Sequence, residues 1–308
     1  MPTIFYIISG MQSESLFINK EHYKLHLKRF WKQENAPSIL LIHGSIEDGK
    51  IFYSKSGKGL APFLAANGFD VFVADLRGRG KSTPHPSANH NFGHASAFEE
   101  DIPDFIEEIN RTKGQGPHHL ISHSWGGVHL MAYLAKNDLE DLKSLVFFGS
   151  KRDIRVKSLK KWWTVNVIWF GFCTFLAKTK GYLPARKYKI GSADEAKDYF
   201  LEVNKWVRSK DWKDHRDGFD YAAALQSKNI PPILSITGSS DTEIGHPVDC
   251  KRLLKEIGDQ ENFVFKVIGK KQGYQHDYDH INLLTHKDAK NDHFKEVLEW
   301  LKNPKIKS

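Results

Sequence analysis

Short apolar runs that alternate with helical stretches are the feature that most constrains the fold of this 308-residue chain. The runs are four to seven residues long, and they lie at residues 38–43, 70–75, 119–122, 143–148, 233–237 and 262–268. Apolar strands of this length are typical of a sheet that is buried on both faces, with helices between its strands. The pattern predicts an α/β fold with a mostly parallel sheet covered by helices on both faces.

Two segments depart from this pattern. Between Leu16 and Trp31 apolar and polar side chains alternate, which predicts an edge hairpin with one exposed face. Between residues 151 and 229 no strand is predicted, and we interpret this segment as a helical insertion between two strands of one sheet. The expected organisation is a core of residues 1–150 and 230–308 that carries the insertion.

Ser124 lies in a motif that points to nucleophilic catalysis. It follows the run at 119–122 and precedes a helical stretch at 128–136, with Ser122 and Gly126 two positions to either side. A serine in a strand-to-helix turn with small flanking residues is typical of a nucleophile elbow, and a helix N-terminus favours developing negative charge. Ser122 stands where glycine is usual, but serine is small enough for this turn. The motif predicts that Ser124 is the nucleophile.

A serine nucleophile needs donors for the oxyanion that forms on the substrate. His43, Gly44 and Ser45 end an early strand, and glycine there permits a close approach of the substrate to the backbone. We predict that the backbone N–H groups of Ser45 and Trp125 bind the oxyanion. His43 is interpreted as structural rather than as a base.

An acid and a base for the nucleophile are expected after later strands, because open α/β sheets build their sites at the carboxyl ends of strands. Asp241 follows the run at 233–237, and His280 follows the last strand. The chain order Ser124, Asp241, His280 is that of a serine, acid and histidine triad.

Other residues compete for these two roles. Asp153 also follows a strand and is the alternative acid, while His276 and His286 flank the predicted base.

Taken together, these motifs resemble the α/β-hydrolase superfamily over nearly the whole chain, and the elbow is similar to its serine esterase, lipase and lysophospholipase-like branch. The motifs occur in family order at residues 43–44, 75–82, 122–126, 238–241 and His280. The resemblance implies an eight-stranded, mostly parallel sheet and a helical cap inserted after the sixth strand. The segment 278–284 and the apolar helix after it resemble acid lipases and polyhydroxyalkanoate-synthase-related hydrolases. Those synthases use cysteine, and epoxide hydrolases and dehalogenases use aspartate, where this chain has Ser124.

The function expected from these residues is hydrolysis of a lipophilic carboxylic ester, such as a lysophospholipid or a monoacylglycerol, through an acyl-enzyme and without cofactor or metal. Two alternatives remain open. One is a thioesterase or acyltransferase with the same triad, because the triad reports the reaction type and not the leaving group. The other is a catalytically silent, membrane-associated binding protein of the same fold.

The positive charge of the chain is concentrated in the predicted insertion. The formal net charge is +8, and residues 151–190 hold eleven of the 45 Lys and Arg but only one acid, Asp153. The rest of the chain has 34 basic and 36 acidic residues. The charge therefore indicates a partner for this segment rather than for the whole protein.

An uncharged run of 16 residues, 162–177, lies inside this basic segment and is shorter than the roughly 20 residues that span a bilayer. It predicts a cap helix that lines an acyl pocket, and the alternative is contact with an anionic membrane surface. The candidates for substrate or membrane contact are Trp162, Trp163, Trp169, Phe170, Phe172, Lys160 and Lys161. Nucleic acid is excluded as a partner, because the lysines flank the apolar run instead of interleaving with it.

Other motifs are set aside. Gly80-Lys81-Ser82 resembles part of a phosphate-binding loop, but Asp75 occupies the position of the first glycine. The segment 276–280 lacks the spacing of a zinc site. Two cysteines cannot form a disulfide framework, and the N-terminus is apolar but has no basic region. We therefore expect a cytoplasmic protein. If the basic segment contacts a membrane, the expected place is the inner membrane face.

Overall fold

The computed structural model describes residues 10–88 and 92–304. The apolar N-terminal segment 1–9, which has no basic region, lies outside the described residues. The strands are β1 (Gln12–Asn19), β2 (Lys24–Trp31), β3 (Ser38–Ile42), β4 (Asp70–Asp75), β5 (His119–His123), β6 (Ser144–Phe148), β7 (Tyr182–Leu183), β8 (Glu195–Ala196), β9 (Ile233–Gly238) and β10 (Phe263–Ile268).

The helices are α1 (Leu60–Ala66), α2 (Ile102–Lys113), α3 (Gly126–Lys136), α4 (Leu159–Lys161), α5 (Thr174–Lys180), α6 (Lys197–Arg208), α7 (Tyr221–Gln226), α8 (Pro247–Glu256), α9 (Asn282–Thr285) and α10 (Phe294–Lys302). Wider π-helical segments are Ala97–Asp101, which leads into α2, and Trp162–Cys173, which joins α4 to α5. Short 3₁₀ turns are Gly49–Ile51, Lys270–Gln272 and Ala289–Asn291. None of the helices in the described part of the chain is both long enough and apolar enough to cross a bilayer.

The main sheet has eight strands in the order β1-β2-β4-β3-β5-β6-β9-β10. β1 and β2 pair antiparallel, as do β2 and β4, and the remaining neighbours are parallel. The prediction of an α/β fold with a mostly parallel sheet is confirmed. The strand order places the carboxyl ends of β3, β5, β6 and β9 side by side, which is where an open α/β sheet builds a site.

Helices cover both faces of this sheet, and neighbouring residues of one strand pack on opposite sides. Leu40 belongs to the apolar cluster formed with Phe105 of α2 and Val128 of α3. Leu41 belongs to the cluster formed with Leu64 of α1 and Val297 of α10. Because both faces are apolar, the strand sequences read as continuous hydrophobic runs.

The predicted hairpin is present, but the expectation of one exposed face is wrong for β2. This strand lies between β1 and β4, so β1 is the edge strand of the hairpin. His26, on the parity that we expected to be exposed, is buried and lies 2.8 Å from the Asp75 carboxylate through Nδ1. The ring of Phe17 packs on the His26 ring at a centroid distance of 5.1 Å. The polar side chains on this side of β2 therefore include one buried contact, at His26, while Lys24 and Lys28 are partly exposed.

The segment between β6 and β9 is helical at residues 159–180, 197–208 and 221–226. It also includes the two-residue strands β7 and β8, which pair antiparallel and were not predicted. A strand of two residues is too short to show an alternating pattern in the sequence. Glu195 of β8 forms a buried ion pair with Arg79 of the core and accepts a hydrogen bond from the N–H of Ile46 at 3.1 Å. The Arg79 guanidinium also lies 4.0 Å from the centre of the Tyr199 ring. These contacts hold the inserted segment against the loops that end β3 and β4, and the exact limits 151–229 stay a prediction.

Candidate active site

Ser124 lies in the turn between β5 and α3, with a φ of +51° that non-glycine residues rarely adopt. Its backbone N–H donates to the carbonyl oxygen of Phe148 in β6 at 2.8 Å, which holds the turn on the sheet. A Cβ atom on Gly126 would lie 2.5 Å from the carbonyl oxygen of Ile42, so the first turn of α3 packs too closely on β3 for any side chain. This backbone is the strand-to-helix turn that the motif predicts.

Asp241 follows β9, and His280 lies in the loop between β10 and α9. The Nδ1 atom of His280 lies 2.5 Å from Oδ2 of Asp241, and Oδ1 of Asp241 accepts the N–H of Gly245 at 2.8 Å. A Cβ atom on Gly245 would lie 2.1 Å from the Asp241 carboxylate, so the loop requires glycine at this point. The structure therefore brings the predicted acid and base into direct contact.

Electrostatics suit a neutral histidine beside an ionised carboxylate. Burial is the main cause that lowers the pKa of His280, and Asp241 acts against it. Burial alone would raise the pKa of Asp241, but His280 and Lys151 outweigh burial and hold that pKa below its usual value. A neutral imidazole held by a carboxylate through Nδ1 has Nε2 free to accept a proton.

The competing acid is occupied elsewhere. Asp153 pairs with Arg155 at 2.5 Å and with Arg252 at 2.9 Å, and it makes no hydrogen bond with His280 in the described structure.

The competing histidines are also occupied elsewhere. Nε2 of His276 lies 3.0 Å from Oδ2 of Asp288, and the centres of the His276 and His286 rings lie 4.2 Å apart with their planes tilted by 46°. The two histidines that flank the predicted base thus form a cluster of their own around Asp288.

Ser124 and His280 face one cavity of about 880 Å³. Its wall is largely apolar and comes from both the core and the insertion, and it includes Ile46, Val165, Trp169, Val203, Val207 and Ile244. A cavity of this size and lining accepts a drug-sized apolar group.

The two predicted oxyanion donors line the same cavity. Ser45 follows β3, and Trp125 directly precedes α3. Neither backbone N–H donates a hydrogen bond within the described ranges. Both groups therefore keep their donors for a ligand, and the N-terminus of the 11-residue helix α3 favours negative charge at this point.

Three buried polar residues at this site were missed by sequence reasoning. Lys151 donates to Oγ of Ser124 at 2.9 Å. Glu47 accepts the N–H of Gly44 and lies 2.7 Å from Nδ1 of His123, whose Nε2 lies 3.0 Å from the backbone oxygen of His280. Lys151 had a signal in the sequence, because it follows β6 by three residues, but we counted it only as part of the basic segment.

The aromatic candidates of the insertion divide into two groups. Trp169 lines the cavity, and its Nε1 donates to Asn204 at 2.7 Å. Trp162, Trp163 and Phe172 are instead 51%, 58% and 44% exposed. These three side chains are not among those that line the cavity, and their predicted contact with substrate or membrane stays a prediction.

The remaining candidates lie outside the main cavity. The Arg208 guanidinium covers the ring of Phe170 at 3.9 Å. Lys160 forms an ion pair with Glu243 at 2.5 Å, and Lys161 lines a separate surface depression.

Comparisons with known proteins agree with this architecture. A sequence profile described as the alpha/beta hydrolase fold matches residues 37–257. The lipase lipl-3 of Caenorhabditis elegans is 25% identical over 138 residues, which are 41% of this chain and 34% of the lipase. A protein named probable oxidoreductase EphD, from Mycobacterium tuberculosis, is 29% identical over 108 residues, which are 35% of this chain and 16% of EphD. The matches thus span about a third or less of these curated relatives.

A solved structure of a soluble variant of monoglyceride lipase from Saccharomyces cerevisiae, in complex with a substrate analogue, has the same fold. It superposes with a TM-score of 0.68 at 18% identity and covers 98% of both chains. The profile covers well over half of the present chain. This protein therefore belongs to the α/β-hydrolase fold family.

Proposed function

We propose that the protein is a serine carboxylic-ester hydrolase that acts on lipophilic acyl esters through an acyl-enzyme. The observation that carries the proposal is that Ser124 and His280 face one largely apolar cavity, while Asp241 contacts His280 through Nδ1. Nucleophile, base and orienting acid are the groups that acyl transfer needs, and the apolar wall suits an acyl chain.

The chemistry follows from these positions. Oγ of Ser124 attacks the ester carbonyl while its proton passes to Nε2 of His280, and Asp241 stabilises the imidazolium that forms. The N–H groups of Ser45 and Trp125 bind the oxyanion, and each such donor typically contributes about 3 kcal/mol. His280 gives its proton to the departing alcohol. Water then attacks the acyl-enzyme with His280 as base, and the acid leaves.

The hydrogen bond from Lys151 is compatible with this sequence of steps. A serine hydroxyl has two acceptor lone pairs and one proton, so Oγ accepts from Lys151 and still has its own proton to donate to His280. No hydrogen bond joins His280 to Oγ among the described residues, and such bonds commonly tighten only when substrate is present.

Lysophospholipids and monoacylglycerols are the substrate classes that we propose. Each has one acyl chain, which suits a single apolar cavity of about 880 Å³. The fold shared with a monoglyceride lipase supports this choice. Thioesters would use the same residues, so the leaving group has to be tested directly.

A series of p-nitrophenyl esters from acetate to palmitate tests this proposal. We expect kcat/KM to rise by up to about fourfold per methylene until the cavity is filled, because each buried methylene contributes about 0.8 kcal/mol. The variant Val207→Trp fills part of the cavity and is expected to slow the long esters while the short ones are hydrolysed as before.

The control is Val156→Trp, which adds the same side chain outside this cavity. Cleavage of acyl thioesters without cleavage of any oxygen ester would replace the esterase proposal with a thioesterase. If neither oxygen esters nor thioesters are cleaved, the catalytically silent binding protein remains as the alternative.

We also propose that the protein is cytoplasmic and that the outer side of helix residues 159–180 contacts an anionic membrane surface. Large apolar side chains are exposed along it, namely Leu159, Trp162, Trp163, Phe172 and Phe175. Lysines lie near both ends of this helix, where they suit lipid headgroups on either side of an inserted apolar face.

Vesicle binding tests the membrane contact. Replacing Lys160, Lys161, Lys178 and Lys180 by glutamine is expected to weaken binding to phosphatidylserine-containing vesicles by up to about 10³-fold in cosedimentation, since each lysine near the surface contributes about 1 kcal/mol. Binding of the unaltered protein is expected to fall with added salt. Glutamine at four exposed lysines of the core, 251, 255, 290 and 295, removes the same charge as a control. Equal binding by both variants would refute the contact.

A further inference from the structure

Lys151 is a buried cation whose surroundings differ from those of other buried basic side chains. It is 6% exposed, and within the described residues its ammonium makes no ion pair with a carboxylate. The hydrogen bond that it donates goes to Oγ of Ser124 at 2.9 Å. Removing an ammonium from water is costly unless negative charge compensates it.

Other buried basic side chains of the described chain have a carboxylate partner. Lys113 pairs with Asp70, Arg79 with Glu195, Arg77 with Asp101 and Arg152 with Glu256. The fold thus has carboxylates available for buried cations elsewhere. At Lys151 the group in contact is instead the atom that we assign as the nucleophile.

The carboxylates whose charge acts on Lys151 are Asp241, Glu47 and Asp249, and other groups hold each of them. Asp249 pairs with Arg252. Asp241 is held by His280 and by the N–H of Gly245, and Glu47 is held by His123 and by the N–H of Gly44. Negative charge in direct contact with Lys151 therefore has to arise at Ser124 or arrive with a substrate.

We propose that Lys151 is a further catalytic residue whose ammonium stabilises the negative charge that Oγ of Ser124 carries as its bonds are made and broken. The proposal rests on the function proposed above. During attack the serine proton goes to Nε2 of His280 and Oγ bonds to the acyl carbon. During hydrolysis of the acyl-enzyme that bond breaks, the electron pair returns to Oγ, and His280 supplies the proton. Lys151 keeps its own protons in both steps.

Burial opposes the positive charge of Lys151, and neighbouring acidic groups favour it. Burial is the largest influence and lowers the pKa of Lys151, while the groups that face it, Asp241, Glu47, Asp249 and the Cys250 thiol, act against that decrease. A buried ammonium kept in this way costs folding free energy, so an apolar side chain of similar size is expected to stabilise the fold.

The variant Lys151→Met tests the proposal in the full-length chain. We expect kcat/KM on a neutral ester to fall about 10²-fold, as when one oxyanion donor is removed. We expect the melting temperature to stay the same or rise. The acid limb of the pH profile should move to higher pH. Three charged or titratable groups face His280, namely Asp241, His123 and Lys151, and Lys151 is one of those that lower its pKa.

Arg155→Met is the matched control, because it removes one positive charge from the same loop outside the cavity. It should keep both the rate and the pH profile. Lys151→Arg keeps the charge and should recover part of the rate.

Three results would overturn the proposal. A loss confined to anionic esters would make Lys151 a substrate-binding residue, and a lower melting temperature with an unmoved acid limb would make it structural. If the unaltered protein hydrolyses no ester, the proposed function is refuted but the role of Lys151 is not yet tested. The rate at which a fluorophosphonate labels Ser124 then decides, and an equal rate in Lys151→Met would refute the role of Lys151.

Discussion

Replacing Ser124 by alanine is expected to lower kcat/KM on p-nitrophenyl esters by about 10⁵- to 10⁶-fold. The residue lies at the one position where a hydroxyl reaches the cavity from the strained turn before α3. Without it no acyl-enzyme forms, and His280 has no hydroxyl proton to accept. The donors on Ser45 and Trp125 remain, so a slow water reaction above the uncatalysed rate should persist. Steady-state hydrolysis measures the fall in kcat/KM and the remaining slow reaction. Fluorophosphonate labelling measures the loss of the nucleophile.

Ser235→Ala provides the matched control for Ser124→Ala. Ser235 lies on β9, is buried, and its hydroxyl has no hydrogen-bond partner in the described part of the chain. Removing that hydroxyl should leave the rate unchanged and the fold at least as stable. Undiminished hydrolysis by Ser124→Ala would show that the ester is cleaved elsewhere on the protein.

The sheet could be predicted because the information that defines it is local. Each buried strand is a continuous apolar run, and the helices between the runs imply parallel pairing. The burial of His26 in β2 could not be predicted, since it depends on contacts with Phe17 of β1 and Asp75 of β4 that strand pairing brings about. The two-residue strands β7 and β8 carry no periodicity at all.

The part of the site that could be predicted is the motif with a defined local geometry. Contacts between residues that are distant in sequence could not be predicted. The turn at Ser124 needs small residues at fixed spacing, so its position follows from the sequence. Lys151 and Ser124 are 27 residues apart, and only the pairing of β5 with β6 brings them together. The sequence therefore shows the nucleophile but not the cation beside it.

The apolar run of the insertion illustrates a different limit. A helix that is hydrophobic on all sides gives no signal for which side faces the protein. Packing decides instead, and the hydrogen bond from Trp169 to Asn204 turns one side toward the cavity. Trp162 and Trp163 then point outward.

The sequence predicts Asp241 as the acid and leaves Asp153 as the alternative, and exchanging each for asparagine is the second prediction with a large expected effect. We expect Asp241→Asn to lower kcat about 10⁴-fold, because an asparagine amide at Nδ1 of His280 favours the wrong tautomer. The contact of 2.5 Å between the two side chains is the physical basis of this effect. Folding should be little affected, since the amide oxygen still accepts the N–H of Gly245.

Asp153→Asn makes the same chemical change at the alternative acid. Its expected effect is on stability and not on kcat. Asp153 is buried and pairs with Arg155 and Arg252, which are partly exposed, so losing its charge should lower the free energy of unfolding by about 1–3 kcal/mol. Its hydrogen bonds do not reach His280, so kcat should stay within a few-fold of the unaltered value. Urea denaturation and steady-state kinetics on both variants separate the two roles. If Asp153→Asn lost activity while Asp241→Asn kept it, the acid would belong after β6, and His280 would have to leave Asp241 during catalysis.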